Sequence, residues 1–217
     1  MDDLRALKRA VFVEIGERCA DLTVAGAPVR IRRSADALRI ETDLPDGSRG
    51  LVHLATIKQG LPVGAFAIDP SALVYGGFVR GVLQQLPVPG SRIAGLGAIL
   101  CATASSDRGG SRTFAVHGAG GPAVDTVVAA VRNRFVPLLA AFSGDWAAAF
   151  AHTLAHPPEV DRPYSTATVL ALLAGRPTEV VDERAAADPR YWDRDAALAV
   201  PGWRERVQRL VSAAAPR

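Results

Sequence analysis

The sequence predicts an α+β fold: an N-terminal helix, an antiparallel meander sheet of about five to six strands, and a C-terminal helical half packed against it. Apolar residues sit at three- and four-residue spacing over residues 2–18, alternate with polar ones from Leu22 to Ile57, and return to helical spacing after Pro122. Those changes of period divide the chain into an α+β sheet subdomain, 1–121, and a helical subdomain, 122–217, which together make one compact unit.

The first helix places Leu4, Leu7, Val11 and Ile15 on one face, with Asp2 and Asp3 favourable at its positive end. Beyond it, Leu22 and Val24, Val29 and Ile31, and Leu38 and Ile40 alternate with polar residues. Gly26-Ala27-Pro28, Ser34-Ala35-Asp36 and Pro45-Asp46-Gly47-Ser48 are turns too short to join anything but antiparallel neighbours. Residues 50–57 add a strand, and Ala65 to Arg80 reads as a hairpin turning at Asp69-Pro70-Ser71, its second arm weakened by Gly76 and Gly77. The apolar run from Ile93 to Ala104 fits either a helix or a core strand, with helix favoured. Residues 105–111 form a polar loop and 112–117 a last strand.

After Pro122, the residues Val124, Val127, Val128, Val131, Phe135 and Leu138 make one stripe, and Pro137 should kink or end that helix. Ser143 is placed to cap a second helix, carrying Trp146, Phe150 and Leu154 and stopping before Pro157-Pro158. Ser165 is placed to cap a third, closed by Gly175, and residues 178–187 form a fourth. Pro201 opens the last, with Trp203, Val207 and Leu210 on one face.

Composition excludes several classes of function. Apolar residues at 49% and charged residues at 22% are ordinary globular usage, and no window of about 18 residues is apolar throughout. The N-terminus has no uninterrupted apolar stretch of the signal-peptide type, so a cytoplasmic location is expected. Net charge is +3, but the arginines are scattered, which makes nucleic acid an improbable partner. The densest group is Arg30, Arg32 and Arg33 with Arg39 on the neighbouring strand; outward arginines are also what alternation on a half-buried strand produces. Cys19 and Cys101 are too few for a disulfide framework or a zinc site and read as free, buried thiols.

Candidate chemistry is sparse. Residues 114–124, FAVHGAGGPAV, form a strand, a Gly-rich turn and a helix start, and the backbone of His117, Gly118, Gly120 and Gly121 offers donors of the kind that cradle a phosphate. The Walker lysine is missing, and so is an acidic residue placed for a ribose. His152 and His156 share a helical face, with Glu159 or Asp161 as the nearest candidates for a third ligand, yet HTLAH lacks the glutamate of HExxH, and no metal is predicted. Ser105-Ser106-Asp107 has no neighbouring base, so no catalytic residue and no cofactor is assigned. Trp146, Tyr191, Trp192 and Trp203 read as core or docking aromatics.

Two resemblances bear on function. The order helix, antiparallel meander, helix over residues 1–105 is similar to the chaperone-like α+β domains related to bacterial type III secretion chaperones. RTFAVHG (112–118), FVPLLAAF (135–142) and SGDWAAAFAHTL (143–154) resemble uncharacterised bacterial polymorphic-toxin immunity families. Both imply a stoichiometric protein-binding protein whose partner is a cognate toxin or effector, with Arg30, Arg32 and Arg39 as candidate contacts on the sheet. The alternative is an enzyme binding a small molecule or nucleotide at the Gly-rich turn after His117.

Overall fold

In a computed structural model, the structure describes residues 2–58, 60–86, 97–104, 113–118, 120–192, 195, 197 and 200–214. The chain is α+β, with an N-terminal helix, an antiparallel sheet and a helical C-terminal half. The elements are α1 (Asp2–Arg18), β1 (Thr23–Val24), β2 (Ala27–Pro28), β3 (Arg30–Arg33), β4 (Ala37–Asp43), β5 (Ser48–Ile57), β6 (Phe66–Gly76), α2 (Gly77–Gln84), β7 (Ala98–Thr103) and β8 (Phe114–Val116). Then come α3 (Pro122–Ala130), a π turn (Val131–Phe135), α4 (Val136–Ala141), α5 (Trp146–Ala155), α6 (Pro163–Leu173), α7 (Glu179–Ala187), α8 (Pro189–Trp192) and α9 (Trp203–Ala214).

The main sheet runs β3-β4-β5-β6-β7, with β8 also pairing β6; β1 and β2 form a separate ribbon. Its register puts Leu38 opposite Leu54 and Ile40 opposite Val52, and all four are buried. Alternation sends Arg39, Glu41, Leu51 and His53 to the other face.

Two compact units emerge, each made of several stretches of chain. One comprises Met1–Pro45, Arg49–Leu73 and Ala102–Ala140. Its core joins Val11, Phe12 and Ile15 of α1 to the sealed sheet face and to Val124, Val127, Val131 and Phe135. Helix α1 packs on β4 and α3, and α3 on β8. The other unit comprises Asp46–Ser48, Val74–Cys101 and Ala141–Arg217. Its central helix is α6, buried from Pro163 through Ala171 and packed by α2, α5, α7, α8 and α9. Among the described residues, no single helix is long and apolar enough to cross a membrane.

Several local expectations are corrected. Asp69-Pro70-Ser71 is not a turn: β6 runs straight through it. The β8 ladder ends at Ile68 opposite Phe114, so Pro70, which has no N–H to donate, follows the end of that ladder. Gly76 and Gly77, at φ of +72° and +73°, make the corner that converts strand into α2. A Cβ on Gly77 would collide with the Asp46 carboxylate and lie 2.7 Å from Ser48 Cβ, so space as well as φ favours glycine there.

Residues 98–103 are strand, not helix; Ile99 O accepts from Asp161 N at 3.0 Å and Leu100 bridges Val160, main-chain partners that a helix would not need. Residues 93–96 and the expected loop at 105–111 lie outside the described residues. Pro137 does not end its helix, because the π turn before it widens the ladder where the proline ring would meet a carbonyl. Asp145, not Ser143, caps α5, accepting from Ala148 N at 3.0 Å. Ser165 lies inside the first turn of α6, with its N–H capped by Asp195 Oδ2 at 2.7 Å. Cys19 is buried, but Cys101 is exposed, on the opposite side of β7 from the buried Leu100 and Ala102.

Candidate functional site

The Gly-rich turn connects β8 to α3 as the sequence predicts, and Gly121 precedes Pro122 at the first helical position. Gly120 adopts φ +68°, and its N–H donates to Glu14 Oε2 of α1 at 2.7 Å. Glu14 also meets Arg18 at 3.5 Å, and Arg18 meets Asp125 at 2.8 Å. The turn therefore already holds an anion, the chain's own carboxylate. A phosphate would have to displace Glu14 and then sit close to Asp125 in the first turn of α3. His117 is exposed, and Ala119 lies outside the described residues.

The expected arginines come together. On the open face of the sheet, Arg32 lies directly opposite Arg39, and Arg39 opposite His53; in the next row, Arg30 lies opposite Glu41, and Glu41 opposite Leu51. Strand β3 is the edge strand, so both rows begin at the rim. Arg30 pairs with Asp43 at 2.7 Å. Glu41, with a side chain only 2% exposed, meets Arg49 at 2.6 Å and Arg32 at 3.3 Å. Arg39 is exposed, and no carboxylate among the described residues pairs with it.

The electrostatics follow from this register. Arg32 and Arg49 against Glu41 leave one net positive charge, and Arg39 adds a second beside it. Burial holds the His53 pKa below its ordinary value; Arg39 lowers it further, and Asp69 on β6 opposes both. Sequence reasoning found Arg30, Arg32 and Arg39 and missed Glu41, Arg49 and His53. The signal was present: once the Ser34-Ala35-Asp36 and Pro45–Ser48 turns set the pairing, counting across the strands brings all six onto one face.

In the second unit, His152 Nε2 lies 3.0 Å from Glu159 Oε2, and its ring stands edge-on to Phe142 with centroids 6.0 Å apart. Asp161 turns instead to Arg80 at 3.3 Å. Burial pushes the Asp161 pKa up, while Arg80 and then Arg162 pull it down. Among the described residues, no group of three or more His, Cys, Asp or Glu side chains is disposed to hold a metal. Trp192 and Trp203 are buried, and Arg162 lies over the Trp203 ring at 5.5 Å. The Ser105-Ser106-Asp107 segment lies outside the described residues.

With this geometry in place, comparison with protein-family models, with curated proteins and with solved structures returns no match.

Proposed function

We propose that this chain is a stoichiometric protein-binding protein of the immunity or chaperone kind, acting in the cytoplasm, and that it takes an acidic partner, a cognate toxin or effector, on the open face of its sheet. The observation that carries the reading is the row Arg32, Arg39 and His53. Like charges directly opposite one another weaken a sheet. A chain that places a second cation there, with its anions already committed to Arg30, Arg32 and Arg49, has a surface best neutralised by carboxylates from outside.

The partner docks on the face rather than adding a strand to the β3 edge. An edge with arginine at three of four positions, Arg-Ile-Arg-Arg, discourages strand addition. The nucleotide-binding alternative is the weaker reading, because Glu14 occupies the donor on which it depends.

Co-expression with each protein encoded beside this chain, followed by mass measurement of the purified complex, tests the proposal. The expected result is a complex of fixed stoichiometry that the paired substitution Arg32→Glu with Arg39→Glu dissociates. A complex untouched by that pair, or no complex with any of those proteins, would contradict it.

A further inference from the structure

The cationic row on the open sheet face continues into a residue whose charge is conditional. Arg32 on β3 stands opposite Arg39 on β4, and Arg39 opposite His53 on β5. Arginine keeps its charge at every physiological pH, whereas an ordinary histidine titrates near ~6.5. The other histidines, His117, His152 and His156, lie outside the strands. His53 is half-buried, so its ring is open to solvent protons and to an incoming partner.

The strands on both sides of His53 carry the groups that set its charge. Burial disfavours the protonated ring, Arg39 on β4 disfavours it further, and Asp69 on β6 favours it. Also on β6, Ser71 Oγ donates to the backbone carbonyl of His53 at 3.4 Å, and on β5 itself alternation puts the uncharged Leu51 and Ala55 on the same face. Burial and Arg39 prevail, which keeps the ring neutral near pH 7 in the free protein. That neutrality matters for the sheet. A permanent cation at this position would stand directly opposite Arg39, where like charges weaken strand pairing. Asp43 is already taken by Arg30, and Glu41 by Arg32 and Arg49, so a charge appearing on His53 is met in part by Asp69 and otherwise from outside.

Resting on the capture of an acidic partner by this face, we infer that His53 makes that capture acid-sensitive: the ring takes up a proton as the partner's carboxylates close over Arg32 and Arg39, and the partner is held more tightly as pH falls through the histidine range. The coupling runs both ways. Carboxylates that favour the charged ring raise its proton affinity, and by linkage the protonated face binds them better. One added unit charge about 6 Å from a carboxylate in a water-like medium is worth about threefold in affinity at low ionic strength.

The test titrates the full chain with a rhodamine-labelled hexaglutamate peptide in low salt at about pH 7.5 and about pH 5.5, on either side of the ordinary histidine value, with anisotropy as the readout. His53→Gln, which takes no proton, and His53→Lys, charged at both values, are measured beside it, so that the peptide's own ionisation cancels. The native protein is expected to bind about threefold more tightly at the lower pH, His53→Gln to lose that gain, and His53→Lys to bind tightly at both. NMR of the His53 ring should show its titration moving up when the peptide is present. An equal gain in the native protein and His53→Gln, or a His53 titration that the peptide leaves in place, would overturn the role of His53; if the pair Arg32→Glu with Arg39→Glu still releases the peptide, capture by the face stands. Binding that the arginine pair does not weaken, or no binding at either pH, would overturn both.

Discussion

Reversing one charge, Arg39→Glu, separates what the open sheet face does for stability from what it does for binding. In the native protein Arg39 stands beside the Arg32–Glu41–Arg49 cluster, which carries one net positive charge, while Arg30 and Asp43 neutralise each other. At about 6–8 Å in a water-like medium, one pair of unit charges is worth about 0.5–0.7 kcal/mol. Reversal turns that repulsion into attraction, a gain of about 1 kcal/mol; Asp69, one strand further on, offsets only a small part. For a chain of this length that is a rise of about 2–4 °C in Tm. The substitution also removes the second of the causes that hold the His53 pKa down.

The sign of the pH effect follows. A histidine whose folded pKa lies below its unfolded one stays neutral in the native state while the unfolded chain takes up a proton, so stability falls as pH drops through the ordinary histidine range near ~6.5. In Arg39→Glu that fall should be shallower, and the His53 titration followed by NMR should move up. Calorimetry in low salt and in about 1 M salt, where the screening length is only about 3 Å, provides the check. A variant that is less stable in low salt, or whose gain survives high salt, would refute the electrostatic account of this face.

Two further outcomes are expected. Asp195→Ala should destabilise by about 2–4 kcal/mol, because it removes a buried carboxylate that caps the first turn of α6, accepts from Ser165 Oγ and Ala197 N, and lies 3.8 Å from Arg162; denaturant unfolding measures it, and a loss under about 1 kcal/mol would contradict that role. Alkylation of the native protein at mildly alkaline pH should modify Cys101 alone, since it is the exposed thiol, and more slowly than a free thiol, since partial desolvation by the surrounding protein raises its pKa and Glu159 adds to the shift. Cys19, buried and pushed up to about 11, should react only on unfolding, as mass spectrometry of the labelled peptides would show.

Most of the fold was legible because periodicity is a direct imprint of burial. Leu38 and Ile40 alternate with Arg39 and Glu41 as a strand with one sealed face must, and the stripe from Val124 to Leu138 is buried as its spacing predicts. The misreadings share a cause: a local signal was overridden by a partner distant in sequence. Pro70 looks like a turn residue until β8 is seen to end its ladder just before it, and Ser165 looks like a cap until Asp195, thirty residues on, is found holding its N–H. For the same reason, the turn after His117 read as an open anion seat, since nothing nearby in sequence announces that Glu14 fills it.

The most direct test of partner capture by the open face is amide hydrogen exchange across the sheet, measured free and in complex with a co-encoded partner. Protection should concentrate in β3, β4 and β5 around Arg32, Arg39 and His53, with the exchange of α5 to α9 little changed. Protection confined to the helices of the C-terminal half, with β3 to β5 exchanging as in the free protein, would contradict it.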